Sequence, residues 1–148
     1  MSEETARQVV VVGVDGSDLS VDALRWAVRQ AQLTGAEVLA VMAWEVPLAF
    51  YPSPTFADVD LQGDAEQVLS RAVAEVVAEA GDVPIRQRLM HQQARSALVD
   101  AARGAQLLVV GSHGVGTLPG LHLGSIASYC VHHSPCPVLV FRTASTGR

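Results

Sequence analysis

The chain alternates between short, wholly apolar runs and longer stretches in which apolar residues return every three or four positions. Gln8-Val-Val-Val-Val-Gly-Val14 is a continuous β-branched run ending in Asp15-Gly16-Ser17, the pattern of a strand buried on both faces. Ser17 or Asp18 can cap the helix after it. Leu24, Ala27, Val28 and Ala31 then recur at i, i+3, i+4 and i+7, one buried face of a helix that Gly35 closes. Val38-Leu-Ala-Val-Met-Ala-Trp44 reads as a second buried strand. The stretch 45–61 breaks the rhythm, with Pro47, Pro52 and Pro54 set among Phe50, Tyr51 and Phe56. A loop of that length without periodicity of its own is usually functional or mobile.

Helical spacing returns over 64–80 through Ala65, Leu69, Ala72 and Val76, with Gly81 as its stop. Residues 84–90 alternate more and suit a strand near a sheet edge, and 96–103 suit a short helix. Ala105-Gln-Leu-Leu-Val-Val110 is a further hydrophobic strand ending in Gly111. Residues 123–133 have helical spacing through Ile126, Ala127, Cys130 and Val131. Pro135 and Pro137 end that helix before a last strand, Val138-Leu-Val-Phe141. Five strands alternating with four helices make one open parallel five-stranded α/β sheet with helices on both faces, because each crossover must be right-handed.

Two strand ends are rich in glycine: Gly13-Val-Asp-Gly-Ser17 after strand one, and Gly111-Ser-His-Gly-Val-Gly116 after strand four. The second leads to Gly124-Ser125 at the start of the last helix. Ligands of open α/β sheets bind beyond the carboxyl ends of the strands, where the winding reverses. The strand order 3-2-1-4-5 puts both glycine loops beside that crevice, whereas 2-1-3-4-5 puts strand three there, which has no glycine loop. The glycines therefore select 3-2-1-4-5.

Their chemistry points to phosphate. Glycine lets the backbone approach an anion closely and permits left-handed dihedrals that aim successive N–H groups inward. A helix beginning near Gly124 adds unpaired N–H donors and partial positive charge, and Ser125 adds a hydroxyl. A single glycine loop could be no more than a tight strand-to-helix turn. Two, at strand ends that one sheet order brings together, carry the reading.

Composition narrows the class. A length of 148 residues suits one domain, with a folded core over 7–142 and a flexible tail over 143–148. Hydrophobic residues are 49% and aromatic ones only 5%, so Val, Leu and Ala must build the core. The formal charge is −5 and the basic residues are scattered, which disfavours a nucleic-acid groove. The first eight residues have no apolar signal region, and no apolar run approaches the ~20 residues of a membrane helix. Cys130 and Cys136 are too few for a disulfide scaffold and are expected as free thiols. A cytoplasmic protein is expected. Cys130, His132, His133 and Cys136 invite a metal reading, but residues leaving a helix for a buried strand seldom converge on a tetrahedral ion.

Gly111-x2-Gly114-x9-Gly124-Ser125 resembles the G-x2-G-x9-G-[ST] pattern of the ATP-binding branch of the universal stress protein family at every fixed position. Gly13-Val-Asp15-Gly-Ser, Val109-Val-Gly-Ser-His-Gly114 and Ser134-Pro-Cys-Pro-Val-Leu-Val140 resemble the family's first loop, fourth strand end and last strand. The likeness runs over 9–142. It implies an adenine nucleotide, ATP or else AMP or ADP, with or without Mg²⁺. Gly13, Val14 and Asp15 would line the adenosine, with Asp15 near the ribose or the metal-bound phosphates. Ala43 would meet adenine through its backbone. Gly111, His113, Gly114 and Gly116 would wrap ribose and phosphate, and Gly124, Ser125 and Ile126 would hold the phosphate tail. The resemblance also implies a homodimer through the last strand, residues 137–141, with Pro137 and Phe141 at its ends.

The sequence departs from the family where many relatives carry Arg, at His113 and Val115, and where Gln106 replaces an acidic residue. No Lys or Arg stands between Gly111 and Ser125. These departures bear on affinity. Three functions stay open at this point: a nucleotide-responsive binding module in stress response or signalling, a slow Mg-dependent ATPase or adenylyl-transfer enzyme assisted by His113 or His122, and a nucleotide-free interaction protein. Trp44, Phe50, Tyr51 and Phe56 can close over a nucleotide or fill a patch beneath the 45–61 loop.

Overall fold

A computed structural model describes residues 7–46, 60–114 and 123–143. In chain order the elements are β1 (Val9–Gly13), α1 (Asp18–Thr34), β2 (Glu37–Trp44), α2 (Leu61–Val77), β3 (Ile85–His91), α3 (Ala94–Ala101), β4 (Leu107–Gly111), α4 (Ser125–His133) and β5 (Val138–Phe141). The strands form one parallel sheet in the order β3-β2-β1-β4-β5.

Strand side chains alternate between faces, so each β-branched run feeds two cores. Val10, Val12, Val38, Ala40 and Val109 face α1 and α2, where Leu24, Val28, Leu69 and Val76 close the layer. Val11, Leu39, Val41, Leu108 and Val110 face α3 and α4, where Leu98, Ala101, Ala127 and Cys130 close the other. Full burial of residues such as Leu24 and Val28 contributes about 1.5–3 kcal/mol each and is what holds α1 to the sheet.

Most differences from the sequence reading lie at helix ends. Helix α2 begins at Leu61, before the expected 64, because Asp60 caps it by accepting the Gly63 N–H at 2.9 Å. It stops at Val77. Residues 78–80 run on as tight turns (Glu79 N–H to the Val76 carbonyl, 2.9 Å), and Gly81 takes a left-handed φ of 58° beyond them. Helix α3 begins two residues earlier than expected, and α4 two later because Gly124 is extended (φ −65°, ψ 165°). Ser17, not Asp18, is the cap of α1.

The sheet splits where the ligand reading needs it to. The β1–β2 ladder continues to Gly13–Val41 and the β4–β5 ladder to Gly111–Phe141, but the β1–β4 pairing ends at Val12–Val109. Beyond that point β1 turns into α1 on one face and β4 leads toward α4 on the other. A crevice opens between them.

Candidate functional site

The crevice is a cavity of about 340 Å³, within the range of small-molecule sites. It lies on the α3/α4 side of the sheet, over the carboxyl ends of β1, β2 and β4. Of the residues expected from sequence, Gly13, Val14, Asp15, Ala43, Gly111, His113, Gly114, Gly124, Ser125 and Ile126 all line it. Gly116 and His122 fall outside the described residues.

The two loops touch. A Cβ added to Gly114 would lie 2.6 Å from Asp15 Oδ2, so that glycine allows the second loop to close onto the first. Gly13 is crowded by a side chain too: a Cβ there would meet Leu98 Cδ1 at 2.9 Å, and Leu98 would have to shift. A Cβ on Gly111 would meet the His113 carbonyl and Leu19, both at 3.2 Å. At Gly124 it would meet the His113 Cα at 3.3 Å and the Ser112 carbonyl at 3.5 Å. The two reasons the sequence offers for glycine fall on different positions. Left-handed φ values occur at Gly16, Gly35, Gly81 and Gly104 among the described residues, and at none of Gly13, Gly111, Gly114 or Gly124. The glycines that line the cavity permit close approach, while Gly16 of the first loop takes the left-handed φ (88°).

Hydrogen bonds divide the loops into a closed half and an open half. Asp15 Oδ1 accepts from the Ser17 N–H (2.9 Å) and the Ser17 hydroxyl (2.6 Å), and Ser17 Oγ accepts the Ser20 N–H (3.2 Å). The Ser20 hydroxyl donates to the Ser17 carbonyl at 2.9 Å. The α1 N-terminus is thus capped by its own chain, and the Val14 N–H is spent on the Val41 carbonyl at 2.8 Å. Helix α4 differs. Its cap, Gly124, has no side chain, and the Gly124 N–H goes to the Ser112 carbonyl at 2.7 Å, pinning the helix to the β4 turn. Among the described residues no side chain caps the first turn of α4, where Ser125, Ile126 and Ala127 line the cavity, or that of α3, which starts at the cavity wall at Ala94. Each such terminus offers N–H donors and about half a positive charge. The Nδ1 atom of His113 is buried with no hydrogen-bond partner among the described residues, an arrangement proteins seldom leave without a ligand or water to satisfy it.

Sequence reasoning missed the apolar floor. Val41, Ala94, Leu98, Val110 and Ala127 line the cavity together with Ser20. The alternation of β2 and β4 carries the signal for Val41 and Val110, but nothing in the spacing of α3 reveals that Leu98 crosses to Gly13. Trp44 does not line the cavity. It follows the lining residue Ala43, so its side chain takes the opposite face, where it stacks on His91 with ring centroids 4.0 Å apart and planes 8° from parallel. Phe50, Tyr51 and Phe56 lie outside the described residues. Cys130 and Cys136 are free thiols. In their neighbourhood the His132 ring nitrogen Nδ1 bonds the Ser128 carbonyl at 2.8 Å, and His133 packs on Tyr129. Among the described residues, no helix is long and apolar enough to cross a membrane.

Comparison with known proteins places this architecture. The chain is 37% identical over 134 residues to universal stress protein Rv2005c of Mycobacterium tuberculosis, covering 90% of this chain and 45% of that relative. It therefore spans less than half of that relative's length. A crystal structure of a universal stress protein in complex with cAMP matches 95% of this chain and all of its own, with 32% identity and a TM-score of 0.66. A universal stress family protein from Burkholderia pseudomallei matches 95% of this chain and all of its own at 25% identity, with a TM-score of 0.71. The universal stress protein family model matches residues 6–142. With a sheet order, a split at the switch point and two touching glycine loops that agree with this match, the chain belongs to the universal stress protein family.

Proposed function

We propose that this protein binds an adenine nucleotide in the cavity between β1 and β4 and acts as a nucleotide-responsive module. The observation that carries the proposal is the composition of the cavity wall. An apolar floor of Val41, Ala43, Leu98 and Val110 suits a purine ring, and it adjoins the uncapped first turn of α4 and the buried His113 Nδ1, which suit a phosphate. The relative crystallised with cAMP, at 32% identity, supports the same class of ligand.

Binding fits the site better than turnover. Phosphoryl transfer relies on preorganised positive charge around the leaving phosphates, and the described lining residues include neither Lys nor Arg. Mg²⁺ is commonly held by one or two carboxylates plus substrate phosphates. Asp15 is the one carboxylate among the described lining residues, and its Oδ1 already accepts from Ser17. It would supply a single ligand to a nucleotide-borne Mg²⁺.

A homodimer through β5 completes the proposal. The two sheet edges differ: β3 presents exposed Arg86, Gln87 and Arg88, whereas β5 is Val-Leu-Val-Phe, uncharged and half-buried. Charged edges resist strand pairing and uncharged ones invite it. The test is thermal shift with millimolar AMP, ADP, ATP and cyclic AMP, with sedimentation of the same samples. The wild type should be stabilised and dimeric, and Ala94→Trp, which sets an indole at the cavity wall, should lose the nucleotide-induced shift. A wild type indifferent to all four nucleotides would overturn the reading.

A further inference from the structure

We infer that the cavity selects an adenine nucleotide carrying a single phosphate and disfavours the triphosphate unless a divalent cation accompanies it. This rests on the adenine-nucleotide reading above and specifies its ligand.

The inference comes from charge. The chain contains no lysine: all ten of its Lys+Arg residues are arginines. None of these is among the described lining residues, and the segments 47–59 and 115–122 contain none either. Arg95 adjoins the lining residue Ala94, but its guanidinium lies over the Tyr129 ring, 5.2 Å from the centroid. The fixed positive potential is therefore that of the two uncapped helix termini, α3 and α4, about one elementary charge between them.

Against this stands Asp15. Its Oδ1 is held by Ser17 while Oδ2 is turned toward Gly114, which places a carboxylate on the wall where the two loops meet. A cyclic phosphodiester brings one negative charge, which the two termini can balance, and a phosphomonoester about −1.5 to −2, which they offset in part. A triphosphate brings about two charges more, beside a carboxylate. At a separation of about 6 Å and an effective dielectric of about 20, one extra like charge weakens binding by about a hundredfold, and by less where solvent screens it. A divalent cation shared by the phosphates and Asp15 removes that penalty.

The experiment is calorimetric titration of the whole chain in EDTA at moderate salt with AMP, cyclic AMP, ADP and ATP, then ATP with excess Mg²⁺. AMP, cyclic AMP or both should bind at least about tenfold more tightly than ATP in EDTA, and Mg²⁺ should close most of that gap. The two monophosphate arms decide between monoester and cyclic diester. Asp15→Asn keeps an oxygen acceptor for Ser17 and removes the charge, so it should narrow the monophosphate-to-ATP ratio by at least about fivefold. ATP binding in EDTA as tightly as both monophosphates would overturn the inference and leave the adenine-nucleotide reading standing. Binding of none of the four, with or without Mg²⁺, would overturn both.

Discussion

Replacing Gly124 by valine should cost stability as well as ligand, and the sizes of the competing effects come from its surroundings. Gly124 has φ −65° and ψ 165°, a conformation open to any residue. Gly→Ala at such a position gains about 0.4–1 kcal/mol by restricting the unfolded chain. The added Cβ, however, would sit 3.3 Å from His113 Cα, 3.5 Å from the Ser112 carbonyl oxygen and 3.9 Å from Gly114 N. These are backbone atoms of one turn, so the contact is relieved only if the turn moves by a few tenths of an ångström. For alanine the two effects nearly cancel. Valine adds two further methyl groups against the same turn, and overpacking of this kind costs about 1–3 kcal/mol. In a domain of this size that lowers Tm by about 3–10 °C. Scanning fluorimetry with and without AMP reads both consequences: Gly124→Ala near the wild type, Gly124→Val melting early and showing a diminished AMP shift. If Gly124→Val melts with the wild type and loses only the AMP shift, Gly124 serves ligand approach and the packing argument is wrong.

Two further expectations concern the core on the α3/α4 face. Leu98→Ala should destabilise by about 2–4 kcal/mol, and Gly13→Ala, which clashes with Leu98 Cδ1 in the wild type, should cost at least about 1 kcal/mol less in that background; additive urea-denaturation energies would contradict the contact. Burial pushes the Cys130 thiol from 9.0 up to about 11, so at pH 8 a thiol reagent should modify Cys136 in the native chain and both cysteines in denaturant; rapid modification of both in the native chain would refute this. Because the raised value favours the protonated thiol in the folded state, Cys130 contributes stability below pH 9 that is lost as pH rises toward about 11. Cys130→Ala should flatten that part of the stability–pH curve.

The glycine loops can be read from sequence because a topological rule turns them into a position. Once Gly13–Ser17 and Gly111–Gly114 are assigned to strand ends, a single sheet order brings them together, and that order is observed. Helix ends are less legible. Asp60 and Gly63 look like loop residues until the Asp60 carboxylate is seen to accept the Gly63 N–H, and Gly81 looks like a helix stop although the helix ends four residues earlier. Sequence also offers two reasons for glycine without saying which applies where: Gly16 takes a left-handed φ, whereas the neighbours that crowd Gly13 and Gly114 are distant in sequence, Leu98 and Asp15.

Apolar periodicity determined the strands and the helix faces, and the two glycine loops selected the strand order, because these signals lie in residues that are neighbours along the chain. Tertiary structure alone decided that α1 caps itself while α4 stays open, that Leu98 floors the cavity, and that Trp44 turns away from it. Those outcomes depend on which surfaces meet in space, and contacts between distant segments leave no period in the sequence.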